Sequence, residues 1–218
     1  MITKYFEDVL GVKTVPEVRD EGKGYRMWDD GGVETSVGEF LYGLVSAVKP
    51  DNILETGLYS GISCSYLAQG IKDNGFGQID SVEFEKQHID RASQRLIKLG
   101  LDSFVNIHCI SSLDFKPTRQ YQIILLDTEP NLRFQELVNF YPYLEPGGFV
   151  FIHDLPRNFC QGNFNPDHPE IKSWPFGDLP IEIKNWLKDG DLVRFNLPSP
   201  RGMCGFYKPR EDDYRPNS

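Results

Sequence analysis

Two acidic residues stand where apolar runs end. Asp127 follows the run from Tyr121 to Leu126, and Asp154 follows the run from Phe149 to Ile152 with His153 between. Carboxylates at the ends of adjacent parallel strands converge on one crevice. A converging pair suits a hard divalent cation such as Mg, which lowers the pKa of a bound hydroxyl. His153 is a poor ligand for Mg and an acceptable one for Mn, Fe or Zn. The plainer alternatives are a cap or loop anchor for Asp154 and a satisfied histidine at a sheet end for His153.

A second constellation lies upstream in ILETGLYSGIS, which runs from Ile53 to Ser63. A turn from a strand into a helix needs glycine where the backbone bends sharply or lies against a ligand, and Gly57 and Gly61 fit those two needs. A dinucleotide fingerprint requires glycine at the third and sixth places, where this chain has Tyr59 and Ile62, so close approach to a pyrophosphate is not provided for. No Gly-Lys-Ser/Thr follows the first glycine either, which excludes a P-loop. Neither phosphate-binding fingerprint is present, and Glu55 stands at the start of the turn. Glu83, in DSVEFE, is placed at the next strand's end to accept ribose hydroxyls, with Glu85 as the competing choice. An ordinary turn at the glycines and a solvated strand end at Glu83 are the bland counterparts.

These residues need a frame to hold them. Val37, Phe40, Leu41, Leu44, Val45 and Val48 fall on one helical face, with Ser36 as N-cap and Pro50 as the stop. An alternation follows: a strand at Asn52 to Leu54, a helix from Ile62 to Lys72, a strand from Gln78 to Val82, a helix from Lys86 to Leu99 and a strand from Val105 to Ile110. It continues with a strand from Tyr121 to Leu126, a helix from Arg133 to Tyr143 and a strand from Phe149 to Ile152. Continuous apolar runs such as IILL and FVFI mark strands buried on both faces of a parallel sheet. A helix near Ile181 to Lys188 precedes two runs, LVRFNLP and MCGFYKP, that read as a closing hairpin. The expected fold is α/β, a doubly wound, mostly parallel seven-stranded sheet with a C-terminal antiparallel hairpin. Residues 1–35, which show no sustained period, are expected as an entry or lid segment, 36–210 as the main domain and 211–218 as a tail. Residues 155–180 read as a long substrate-side loop, in which His168, Phe164 and Trp174 form an aromatic lid or a surface packing element.

Composition removes several function classes. A net charge of -9 and a pI near 5.0 argue against nucleic acid, whose affinity is built from Lys and Arg on phosphates. Cys64, Cys109, Cys160 and Cys204 show no CxxC and no zinc-finger spacing, so free thiols are expected. The first residues lack a signal-peptide core and no run of about 18 apolar residues occurs, which gives a cytoplasmic expectation with no membrane partner. His88 and His108 read as surface histidines. A homo-oligomer is left open.

The series E-T-G-x-x-x-G-x-S, V-E-x-E, I-L-L-D and L-E-P-G-G-F-V-F-I-H-D resembles the class I S-adenosylmethionine-dependent methyltransferases, over roughly residues 36–154 by motif and over the terminal hairpin by pattern. More narrowly it is similar to the small-molecule O-methyltransferases of the catechol and macrocin/aminocoumarin sugar types. The resemblance implies S-adenosylmethionine as cofactor and a small-molecule acceptor. It implies a cofactor site of Glu55, Thr56, Gly57, Tyr59, Gly61, Ser63, Glu83 and Asp127, with Ser111 and Ser112 near the adenine and Val33 to Ser36 near the methionine end. Metal-dependent relatives have an Asp at the place of Asp127 and an Asp-Asn, Asp-Asp or Glu-Asp pair at the fifth strand's end. Here the pair is His153-Asp154, followed by Leu155. The expected metal set is therefore Asp127, Asp154 and His153, holding Mg or Mn. In the sugar enzymes a D-x-D contributes a ligand and then a base, and Asp127-Thr128-Glu129 stands in that place. Glu129 or His153 is the expected proton acceptor, with Asp127 beside it. A cofactor-binding module without catalysis, an N-methyltransferase and a hydroxylase-like activity on the same scaffold are the competing functions, because function resides in the site.

Overall fold

The apolar runs become buried strands. Ile123, Ile124, Leu125 and Leu126 are fully buried, as are Val150, Phe151 and Ile152, which is the condition for sheet members covered on both faces. The computed structural model describes residues 1–17, 25–28, 32–155, 179–197, 199 and 201–213. The expected lid residues Phe164, His168 and Trp174 and the thiol of Cys160 lie outside the described residues. The chain divides into two compact units, Met1–Ser112 and Leu113–Ser218.

In the first unit, α1 (Ile2–Leu10) is followed by a hairpin of β1 (Val15–Glu17) and β2 (Tyr25–Met27), with Val15 opposite Met27. Then come α2 (Thr35–Val48), β3 (Asn52–Thr56), α3 (Ile62–Asn74), β4 (Gln78–Glu83), α4 (Lys86–Leu99), a 3-10 turn at Asp102–Phe104 and β5 (Val105–Cys109). Strands β3 and β4 pair in parallel with Ile53 opposite Ile79, and β4 and β5 pair in parallel with Ile79 opposite Val105. α2 and α3 pack closely because α3 offers Gly70, where an added Cβ would lie 2.7 Å from the Val45 side chain.

The second unit carries β6 (Tyr121–Leu126), α5 (Arg133–Phe140), a 3-10 turn at Tyr141–Tyr143, β7 (Leu144–His153), α6 (Ile181–Asp189), β8 (Val193–Leu197) and β9 (Met203–Tyr207). β6 and β7 are parallel, with Leu126 opposite Ile152. β9 runs antiparallel to both β7 and β8. The seven long strands have the order β5-β4-β3-β6-β7-β9-β8. This is the expected mostly parallel sheet ending in an antiparallel hairpin. Among the described residues no helix is long and apolar enough to cross a membrane.

Several local differences from the sequence expectation have physical reasons. The segment 1–35 contains a helix, α1, whose Ile2, Tyr5, Phe6, Val9 and Leu10 keep helical spacing and which stops at Gly11 with φ 71°. That period is diluted when the whole glycine-punctuated stretch is averaged. The helix after Leu132 ends at Phe140 and continues only as a 3-10 turn, since Pro142 lacks the N–H an α-helical turn requires. Strand β7 begins at Leu144, ahead of the expected start at Phe149, and runs through Pro146 and two glycines. Gly147 donates to the Lys208 carbonyl at 2.7 Å and Lys208 to that of Gly148 at 3.0 Å, so the segment acquires partners from far along the chain. The helix α2 also starts at Thr35, ahead of the expected cap at Ser36, with Glu34 in the N-cap position.

Candidate functional site

The loop between β3 and α3 is built around two buried carboxylates. Glu55 is fully buried, and its two oxygens each accept a serine hydroxyl, from Ser63 and Ser81, both at 2.6 Å. Ser63 lies in the first turn of α3 and Ser81 on β4, so this carboxylate ties strand, loop and helix together. Burial and the adjacent Glu55 charge push the Cys64 thiol well above its ordinary value, so Cys64 is a neutral core residue. Thr56 is fully buried beside Glu55.

The turn needs three residues of positive φ: Gly57 at 83°, Tyr59 at 46° and Gly61 at 75°. The strain at Tyr59 is offset by a bond, its N–H donating to Glu83 Oε2 at 3.0 Å. Gly61 has a second constraint, because an added Cβ would lie 2.9 Å from that of Ala92. The close approach expected at this glycine is therefore to α4, in addition to any ligand. Arg95 of α4 fixes the same turn by donating from Nε to the Ser60 carbonyl at 2.9 Å.

Glu83 ends β4 with 7% exposure. Its Oε2 accepts the Tyr59 N–H and its Oε1 the Glu85 N–H at 2.9 Å. A carboxylate offers about four lone-pair sites, so these two backbone bonds leave acceptor capacity for a diol. Glu85 itself occupies the N-cap position of α4, without a side-chain capping bond. His88, read from sequence as a surface residue, packs edge-on against the Tyr59 ring with centroids 4.8 Å apart and brings Nδ1 to 3.6 Å from Glu83 Oε2. His108 sits on β5 with Nε2 2.9 Å from Asp80 Oδ1. Ser111 and Ser112 follow β5, where the Ile110 N–H donates to the Glu83 carbonyl at 3.1 Å; Ser112 is buried.

In the second unit the ends of β6 and β7 bring Asp127, His153 and Asp154 together, with one ligand-type atom of each within 4.8 Å of the others. His153 is 1% exposed. Its Nδ1 lies 3.3 Å from Asp127 Oδ1, 3.2 Å from Asp127 Oδ2 and 3.7 Å from Asp154 Oδ2. Facing only carboxylate oxygens in these contacts, that nitrogen must carry the ring's proton, an inference from the surrounding acceptors.

Two arginines bracket the cluster, and neither stands out in the sequence. Arg133, at the start of α5, pairs with Asp127 Oδ1 at 3.1 Å, donates from Nε to the Thr128 carbonyl at 2.8 Å and from Nη1 to the His153 carbonyl. Arg201, in the turn before β9, donates from Nη2 to Asp154 Oδ2. Asp154 itself has φ 56°. Burial raises the Asp127 carboxyl, but His153, Arg133 and Arg201 outweigh it and hold the group below its ordinary value. For Asp154, burial and the neighbouring Asp127 charge win over His153 and the arginines, so its carboxyl lies above the ordinary value. Glu129 is exposed on the turn after β6, with its carbonyl accepting the Leu132 N–H at 2.9 Å, and it is not part of the cluster. Neither arginine has a local signal: Arg201 is 47 positions from Asp154.

The donor set is close enough for a divalent ion, but the atoms that face one another are engaged: Nδ1 by its proton, Asp127 by Arg133 and His153, and Asp154 Oδ2 by Arg201. The charges also cancel, two carboxylates against two guanidiniums, whereas hard cations take sites with surplus oxygen charge. The residues as arranged do not fit a metal.

Residues 54–155 match the family described as a methyltransferase domain. A protein of Mycobacterium sp. (strain JLS) that carries an O-methyltransferase assignment is 24% identical over 147 residues; the match covers 66% of each chain, so this chain spans a little under two thirds of that relative. Among solved structures, the fold is similar to the O-methyltransferase TomG from Streptomyces achromogenes in complex with SAM, at TM-score 0.66 and 17% identity over 96% of both chains. It is also similar to an O-methyltransferase from Bacillus cereus in complex with SAH, at TM-score 0.65 and 18% identity over 81% of this chain and 83% of that one. The strand order, the positive-φ turn after β3 and the carboxylate at the end of β4 accord with these matches: residues 54–155 are similar to a methyltransferase domain, and the fold is that of the solved O-methyltransferases.

Proposed function

We propose that the protein transfers a methyl group from S-adenosylmethionine to a hydroxyl of a small molecule, with His153 accepting the proton. The observation that carries the reading is the buried His153 ring held by Asp127 at 3.2 Å. The O-methyltransferase assignments of the relatives support the class of acceptor.

S-adenosylmethionine, when bound, supplies a methyl group made electrophilic by the sulfonium. On the protein side, Glu83 accepts the ribose hydroxyls with the lone pairs its two backbone bonds leave. Gly57, Tyr59 and Gly61 shape the turn, Glu55 braces it through Ser63, and Ser111 and Ser112 follow beside Glu83's strand end. The two glutamates give this half a negative character suited to a cation. Transfer requires alignment and removal of the acceptor's proton. His153 would take the acceptor's hydroxyl proton on Nε2 as the methyl leaves the sulfonium sulfur for the acceptor oxygen, with S-adenosylhomocysteine the leaving group, and Asp127, holding Nδ1–H throughout, would stabilise the imidazolium. Glu129, exposed on its turn, then serves no proton transfer in this scheme.

The test is a methyl-transfer assay with a panel of phenols, catechols and sugar hydroxyls, paired with calorimetry of S-adenosylmethionine and S-adenosylhomocysteine. Saturable binding with turnover of a hydroxyl acceptor is expected. Binding without turnover on any hydroxyl, or turnover only on amines, would overturn it.

A further inference from the structure

The charge balance around His153 carries an inference beyond the identity of the reaction. The Asp127 and Asp154 carboxylates lie near enough to share a cation, and the cations at hand are side chains of this chain. Arg133 is 4% exposed and locked at three points, on Asp127, the Thr128 carbonyl and the His153 carbonyl. It cannot swing away without leaving buried acceptors unpaired. Arg201 is different. It reaches Asp154 from the turn before β9, with a quarter of its side chain exposed. The oxygen it takes, Asp154 Oδ2, is the same one that lies 3.7 Å from His153 Nδ1. A metal drawing on that oxygen would have to displace Arg201.

We infer that Arg201 is the resident cation of this site, standing where a divalent metal would otherwise bridge the carboxylates, so that methyl transfer by this chain is metal-independent. The inference rests on the proposed O-methyl transfer for its last clause only; the exclusion of metal follows from the side chains. Arg201 acts through Asp154 and is a positioning residue. Its guanidinium cancels the charge of Asp154, leaving Asp127 as the carboxylate that steadies His153.

The experiment is a manganese(II) titration of the full chain, followed by calorimetry and by the loss of the free-ion paramagnetic resonance signal. Wild type should show no saturable binding below about 1 mM, weaker than sites with surplus carboxylate charge. Arg201→Met, which keeps much of the stem's bulk and removes the charge, should tighten manganese at least about tenfold by unmasking Asp154. Arg201→Lys should retain the exclusion. Wild-type turnover should change less than about twofold in EDTA, well inside the factor that loss of a metal Lewis acid would produce. Micromolar manganese binding by wild type, or loss of its turnover in chelator, would overturn the inference. If Arg201→Met does not fold, the wild-type titration and the lysine variant still decide it. Failure to find any acceptor would count against the proposed function, while the manganese titration would still decide the role of Arg201.

Discussion

The two units partner their enclosed carboxylates in opposite ways. In the first, Glu55 and Glu83 are met by hydroxyls and backbone N–H groups, from Ser63, Ser81, Tyr59 and Glu85. In the second, Asp127 and Asp154 are met by guanidinium groups. Neutral donors satisfy a carboxylate's lone pairs without cancelling its charge, so the first unit stays negative, as a cationic nucleoside requires. Guanidiniums cancel the charge, so the second keeps a polar, near-neutral cluster around His153, the proposed proton acceptor. Substitutions in the first unit should therefore move cofactor affinity, and those in the second should move turnover.

The most severe challenge to that contrast is His153→Ala. Loss of the proposed general base should lower kcat about 100-fold to 10,000-fold, with the S-adenosylmethionine Kd within about threefold as judged by calorimetry. A comparable rise in Kd would merge the two roles. Next, Glu83→Gln should weaken S-adenosylmethionine about 10-fold to 100-fold by replacing charge-assisted acceptors with a neutral amide. At saturating cofactor its kcat should hold within a few-fold, and a collapse of kcat there would count against the division.

Smaller effects probe the bracing of the loop. Ser63→Ala removes one of the hydroxyls on buried Glu55, and stability should fall by about 1–3 kcal/mol. In thermal unfolding that is a drop of about 2–12 °C for a chain of this size, and an unchanged midpoint would show that Glu55 is solvated. The smallest effect is expected at Glu7, whose Oε1 accepts both the N–H and the hydroxyl of Thr14 at 2.8 Å. Those bonds hold its carboxyl below the ordinary value. A lowered folded pKa adds stability above the unfolded value, about 4.3 for glutamate, and loses it as pH falls through the folded value. Glu7→Gln should then be less stable than wild type by about 1 kcal/mol near neutrality. Denaturant titrations across pH should show that gap closing below pH about 4, and a gap independent of pH would mean that the charge is not involved.

Much of the architecture was legible because it rests on local signals. The helix Lys86–Leu99 and the strand Tyr121–Leu126 were expected with the bounds they have, since periodicity and apolar runs report burial directly. The carboxylates at strand ends followed from the same reasoning. The helix Ile2–Leu10 was equally legible in its spacing and was obscured by the glycine-rich residues after it.

Strand and helix order, the glycine-bearing turn after β3 and the acidic residues at the ends of β4, β6 and β7 can all be read from the chain alone. What those acids face emerges only in the folded molecule: serines for Glu55, backbone amides for Glu83, arginines for Asp127 and Asp154. Periodicity records which side of an element is buried, whereas a charge's partner is set by contacts that join distant positions, such as Arg201 with Asp154. No local pattern encodes that pairing, because its free energy exists only once both segments have been brought into the same low-dielectric space.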